Sequence, residues 1–351
     1  MATDDDANFP LFARSASPST PTDFTLADEA PSKTEAAPAD PPTLIDRLVG
    51  TVLGGAIGDA MGHPTEFMSM ESIHHKYGPR GVERFELFWE TPSGRVAPDT
   101  DDTQMAECVL RALLDESNDL DSAMKKMARR FIEWAENPQG GHRAPGNACL
   151  SGCRALAHGA HWSEAGGPTA GGCGSVMRAY PFGLIFRDDL RKAEEWAVEH
   201  SKLTHRDPIA LAASAAMAVG TALALRDEEP RCVVSEMAAA ACRYSTKTAA
   251  MIVRAIDDAQ TGVEPSVTLD RLRAWAAHEA IAAAVYVFAR HPDDPAAAIL
   301  EGANTPGDSD SIATLAGSLT GARCGIRAFP KQWIHDVERS AELSELARQI
   351  S

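Results

Sequence analysis

The sequence predicts an all-α fold, a compact orthogonal multi-helix bundle, and three observations carry that reading. Alanine-rich stretches such as "PIALAASAAMAVGTALAL" (208–225), "VVSEMAAAACRY" (233–244) and "TAAMIVRAIDDA" (248–259) favour helix by propensity. Apolar residues recur at three- and four-residue spacing, as at Met251, Ile252, Ala255 and Ile256, which makes one helix face apolar. Alternating strand-like runs are scarce, and Val, Ile, Tyr and Phe dominate no segment.

Residues 1–42 differ in kind from the rest. They hold seven prolines and eight acids against two bases, with many Ser, Thr and Ala. Such a composition buries too little apolar surface to offset the entropy of ordering, so a disordered acidic arm is expected. Two apolar islands interrupt it, "NFPLF" at 8–12 and "DFTL" at 23–26. They suit either a passive tail or a short element that folds onto a partner or onto the protein's own groove. From Leu44 onward the pattern is helical, and about a dozen helices are expected in one domain over 43–351. The irregular part is 78–98, where "VERFELF" could be extended. Small residues on the helices (Gly54, Gly55, Gly58, Gly317, Ser318, Gly321) predict close helix–helix contacts.

Charge and cysteines narrow the function classes. A net charge of −17 argues against general affinity for nucleic acid or an anionic membrane. Seven scattered cysteines with no CxxC pair read as reduced thiols rather than a disulfide frame or a zinc site. No apolar run approaches the roughly 20 residues that span a bilayer, and no secretory signal opens the chain. A cytoplasmic protein is expected.

Two acid clusters then stand out. "APDTDDTQMAEC" (97–108) crowds Asp99, Asp101 and Asp102 around Thr100, and "TPGDSDSIATLAGSLTGA" (305–322) places Asp308, Asp310 and Ser311 before a helix. Each could be a helix cap, since Asp, Ser and Thr are favoured there and acids suit the helix dipole. Capping uses one side chain per helix, however, and two such sets some 200 residues apart look like halves of one site closed by the fold. Four carboxylates with hydroxyls and no nearby Cys or His pair form an all-oxygen set, suited to Mg²⁺ or Mn²⁺, or to Ca²⁺. Asp99 is expected to be a cap or a solvated acid. Two Gly-rich stretches, "GGAIGDAMGHPTEF" (54–67) and "AGGCGSVMRAYPFG" (170–183), read as ligand cradles or as simple turns. His205, in "LTHRDP", is a candidate ligand contact or a core residue.

Together these segments resemble the ADP-ribosylglycohydrolase family over about 45–325. "GAIGDAMGHPTEF", "TDDTQM", "GGCGSVMRAYPFGL", "THRDP" and "GDSDSIATLAGSLTGA" follow the family's motifs in order. The resemblance implies an all-α fold with a cleft holding two divalent cations, Mg²⁺ or Mn²⁺. It implies Thr100, Asp101, Asp102, Asp308, Asp310 and Ser311 as metal ligands, with Glu66 and Asp310 catalytic. Asn147, Gly172, Cys173, Gly174, Ser175, Met177 and His205 would line the ADP-ribose site, with Gly174 and Ser175 near the diphosphate. Ser311 stands where many members carry threonine, and Cys173 where some carry asparagine. The expected reaction is hydrolysis of the N-glycosidic bond of ADP-ribose on modified proteins, ADP-ribosylarginine first. The alternative is an immunity-type protein that neutralises an ADP-ribosyltransferase toxin through residues 1–42.

Overall fold

Thr43 opens the first helix with a capping box: its hydroxyl accepts from Asp46 N at 3.1 Å, and the Asp46 carboxylate accepts from Thr43 N at 2.9 Å. The structure, a computed structural model, describes residues 25–26 and 40–350 apart from 93 and 139. Sixteen α-helices lie among the described residues, more than the dozen expected, because several are short. The first five are α1 (Leu44–Gly62), α2 (Met70–Tyr77), α3 (Asp101–Asp115), α4 (Leu120–Glu136) and α5 (Asn147–Ala157). Then come α6 (Tyr180–Ile185), α7 (Leu190–Ser201), α8 (Pro208–Leu225), α9 (Pro230–Cys242) and α10 (Thr246–Thr261). The last six are α11 (Pro265–Arg271), α12 (Ala277–Arg290), α13 (Pro295–Ala303), α14 (Ser309–Cys324), α15 (Lys331–Asp336) and α16 (Ser340–Arg348).

Strand is confined to β1 (Thr25–Leu26), β2 (Glu86–Leu87), β3 (Trp89–Thr91) and β4 (Gly94–Val96). β1 pairs antiparallel with β2, and β3 with β4. The extended piece expected at "VERFELF" is therefore β2, and "DFTL" contributes its partner. The expectations placed on the rest of the arm, disorder and docking into a transferase, lie outside the described residues.

The α1–α14 pair forms the spine. Gly50, Gly54, Gly58 and Gly62 recur every fourth residue, so they form one stripe along α1. A Cβ on Gly54 would lie 2.2 Å from Gly317 O, and one on Gly317 would lie 2.1 Å from Gly54 O. Any larger side chain would force the two backbones apart. Gly50 faces Gly321 while Gly62 faces Asp310, so the helices run antiparallel and the end of α1 meets the start of α14. The glycines of the first Gly-rich stretch thus form a packing seam, and the stretch ends in His63 and Glu66.

Around this spine the apolar core has two parts, one built on α1, α8, α12 and α14, the other on α3, α4, α5 and α7. α8 is 18 residues long and apolar enough to cross a membrane by length and composition, contrary to the sequence expectation. Instead 83% of its residues are buried inside the protein, and it packs against α6, α7, α9, α12 and α14.

Candidate metal and ligand site

The site is assembled where α1 ends and where α3 and α14 begin. In its last turns, which are Gly- and Ala-rich, α1 carries the carboxylate of Asp59, and it is fully buried. Asp59 Oδ2 accepts from Thr100 N at 2.8 Å, from Thr103 N at 3.1 Å and from the Thr103 hydroxyl at 2.6 Å. One helix thereby caps another, which fixes the start of α3 against α1. Thr100 adds its own cap, accepting from Asp102 N at 3.3 Å. With α3 capped by Asp59 and Thr100, Asp101 and Asp102 have no capping duty. At α14, Asp308 holds the N-cap position but makes no side-chain cap bond. Thr65 and Ser309, 3.0 Å apart, both bond Gly62 O and tie the end of α1 to the start of α14.

These anchors bring the two acid clusters together. The Ser311 hydroxyl donates to Asp102 Oδ1 at 3.0 Å, across 209 residues of sequence. Donor atoms of His63, Glu66 and Asp310 lie within 4.8 Å of one another. Asp101, Asp102, Asp308 and Asp310 are at most 7% exposed. Among the described residues no Lys or Arg pairs with any of them, while neighbouring Asp99 pairs with two arginines. Burial first, and the surrounding carboxylates next, push Asp101, Asp102 and Asp310 well above the usual carboxylate range. Burial also raises Glu66 and Asp59.

Buried acids without a protein cation are costly, and a bound cation removes that cost. Two buried atoms beside them, Asp59 Oδ1 and His63 Nδ1, have no hydrogen-bond partner among the described residues. The donor set therefore fits divalent cations. It is not all oxygen, however: the Cys173 thiol donates to Asp308 Oδ2 at 2.8 Å, and His63 Nδ1 lies 3.6 Å from Glu66 Oε2. The sequence expectation placed Cys173 at the ADP-ribose site but not beside Asp308, 135 residues away, and it did not single out His63, whose link to Asp310 spans distant segments.

The second Gly-rich stretch does reach the site. Gly172 precedes a single 3-10 turn, Cys173–Ser175, beside Asp308 and His205. His205 is 2% exposed, and its Nε2 would lie 3.4 Å from a Cβ on Gly174 and 3.6 Å from one on Gly172. Two residues assigned to the pocket turn the other way. Ser175 Oγ accepts from the hydroxyls of Ser201 at 2.9 Å and Ser214 at 3.3 Å, and is fully buried. Met177 packs with Met105, Phe131 and Phe182 in the core. Both side chains are directed inward, away from the acids. Asn147 is exposed at the start of α5, and its link to the loop is indirect, through Cys149, which donates to Gly174 O at 3.8 Å.

Asp99 is neither cap nor solvated acid. It is fully buried and ion-paired with Arg143 at 3.0 Å and Arg339 at 2.7 Å, which also hold Glu338 and Glu107. Sequence reading missed it because both arginines come from distant segments. It missed Asp59 too, although a lone carboxylate inside an apolar Gly/Ala helix was a visible signal.

Residues 40–351 match the model of the ADP-ribosylglycohydrolase family. The chain is 28% identical to the ADP-ribosylarginine hydrolase of Pseudomonas putida, covering 88% of this chain and 79% of that protein. It is 25% identical to the ADP-ribosyl-[dinitrogen reductase] glycohydrolase of Rhodospirillum rubrum, covering 88% and 96%. The human ADP-ribosylhydrolase ARH3 is 24% identical over 87% and 93%. In fold the chain is similar to a solved ADP-ribosylglycohydrolase-related protein complex, with a TM-score of 0.64, 24% identity and 88% and 97% coverage. An acid cleft closed between α1, α3 and α14, and a family match over nearly the whole chain, converge on one statement: this chain belongs to the ADP-ribosylglycohydrolase family, metal-dependent hydrolases of ADP-ribose linkages.

Proposed function

We propose that the chain cleaves the N-glycosidic bond between ADP-ribose and an arginine side chain of modified proteins. Thr100, Asp101, Asp102, Asp308, Asp310 and Ser311 would hold two divalent cations, Mg²⁺ or Mn²⁺. The observation that carries this reading is the Ser311–Asp102 contact, which joins two sets of buried, cation-free carboxylates into one cleft. The arginine assignment draws support from the relatives of Pseudomonas and Rhodospirillum, whose names specify ADP-ribosylarginine and an ADP-ribosylated protein.

Bound cations would supply an activated water and fix ribose oxygens. The remaining work falls to side chains of this chain. The carboxylates around Asp310 would face the anomeric carbon, where positive charge develops as the bond to arginine breaks. Glu66, half-buried at the cleft edge with its carboxyl raised by burial, can hold and return a proton at Oε2 beside His63. The Gly172–Gly174 turn lets backbone approach the ligand closely.

The test is incubation with arginine-, serine- and nucleic-acid-linked ADP-ribose in the presence of Mg²⁺ or Mn²⁺. Release from arginine alone is expected. Release only from serine or nucleic acid would replace the acceptor, and release from none would end the reading.

A further inference from the structure

Arg178 is fully buried, yet no carboxylate bonds it among the described residues. Its Nε donates to His200 Nε2 at 3.1 Å, one Nη donates to Gly174 O, and the other donates to Thr204 Oγ1 at 2.6 Å. Its guanidinium also stacks 4.6 Å from the Phe131 ring. Every one of these oxygen and nitrogen partners must be an acceptor, because arginine has only donors. His200 complies: its Nδ1 faces Ala197 O at 2.9 Å and must be the protonated nitrogen, which leaves Nε2 a free lone pair.

The same bookkeeping decides the state of His205. Thr204 is fully buried, and its hydroxyl has two partners, Arg178 and His205 Nδ1 at 2.7 Å. Arg178 takes a lone pair of the hydroxyl, so the only acceptor left for the hydroxyl proton is Nδ1. A protonated Nδ1 would strand that proton in a buried site, at the cost of an unmade hydrogen bond. Nδ1 is therefore the acceptor, and Nε2 carries the hydrogen. Among the described residues Nε2 has no protein partner, and it faces the Gly172–Gly174 turn.

We propose that Arg178 and Thr204 are positioning residues that lock His205 as a neutral imidazole with Nε2–H aimed into the cleft, where it donates to a diphosphate oxygen of the ligand. His205 then serves as a fixed donor and not as an acid or base. Burial and the nearby Arg178 charge, which hold its pKa down at about 3, agree with that role. The ligand half of the proposal rests on the glycohydrolase reading, while the tautomer half does not.

The experiment is imidazole ¹⁵N NMR of the ligand-free protein, with the His205 signals assigned by their loss in His205→Gln, beside ADP-ribose affinity. Wild type is expected to show only the Nε2–H form from about pH 5 to 8, as the lowered pKa requires. Thr204→Val, close to isosteric, should yield mixed tautomers and weaken ADP-ribose binding roughly five-fold. Thr204→Ser should restore both. An Nδ1–H form or an imidazolium in wild type overturns the lock, as does a Thr204→Val protein with unchanged spectra. Changed spectra with unchanged affinity overturn the ligand contact. A wild type that shows the lock but binds no ADP-ribose supports the lock and contradicts the glycohydrolase reading instead.

Discussion

Asp99 and Asp101 stand two residues apart in one acidic run, and both are buried. Asp99 is neutralised from within the chain by Arg143 and Arg339, whereas Asp101 faces Asp59, Glu66 and Asp308, which raise its pKa further. The difference separates structural acids from site acids without reference to any ligand. A buried charge that serves the fold comes with its partner, and one that serves a cation is left without one. The contrast also explains why the run is so dense. Thr100 and Asp59 cap α3, Asp99 fastens the loop to α16 through Arg339, and the next two acids are left for the cleft.

Substitutions should pull the two roles apart. The largest effect is expected at Asp101→Asn: release of ADP-ribose should fall at least about a hundred-fold, while the metal-free protein keeps or gains thermal stability as repulsion is relieved. Product assays beside calorimetry check both halves, and a large loss of metal-free stability would place Asp101 in the Asp99 class. Asp99→Ala should do the reverse, costing about 2 kcal/mol of stability by removing one of the two carboxylates that Arg143 and Arg339 each hold. Denaturant unfolding measures it. Gly317→Ala serves as the uncharged control: its methyl would meet Gly54 O at 2.1 Å, which should cost about 3 kcal/mol with or without cations.

The pH response should differ between metal-free and metal-loaded protein. Asp101, Asp102 and Asp310 have folded values above the unfolded value of 3.8, so the native state holds protons that the unfolded state releases. Their contribution is therefore present at low pH and lost as pH rises from about 4 through neutrality, and the metal-free melting temperature should decline over that range. Saturating Mn²⁺ should remove the decline, because cations and protons compete for the same oxygens. The smallest effect is expected at Cys173→Ser. A thiol and an imidazole beside the carboxylates favour Mn²⁺ over Mg²⁺, and the serine variant should narrow that preference a few-fold in binding titrations.

Much of this was legible in sequence where periodicity or a local motif carried the information. The Ala-rich helices and the small-residue contacts rest on spacing within one segment, and the joining of "TDDT" to "GDSDS" on the likeness of two acid motifs. What was not legible depends on which distant segments meet. "GGAIGDAMG" and "AGGCGSVMRA" look alike as glycine-rich runs, yet one is a seam against α14 and the other a turn at the cleft. Only the partner helix decides between them. Ser175 and Met177 were placed in the pocket by the resemblance of their segment to a family motif, and their side chains lie in the core. Arg178, in the same segment, reads as an ordinary charge until Thr204 and His200 arrive around it.

The claim on which the rest depends is that the unpaired carboxylates hold the cations needed to release ADP-ribose. Chelator-treated protein mixed with ADP-ribosylarginine tests it most directly, followed by return of Mn²⁺. The expected result is no ADP-ribose released under chelator and full release once Mn²⁺ is restored. Undiminished release under chelator would contradict the account.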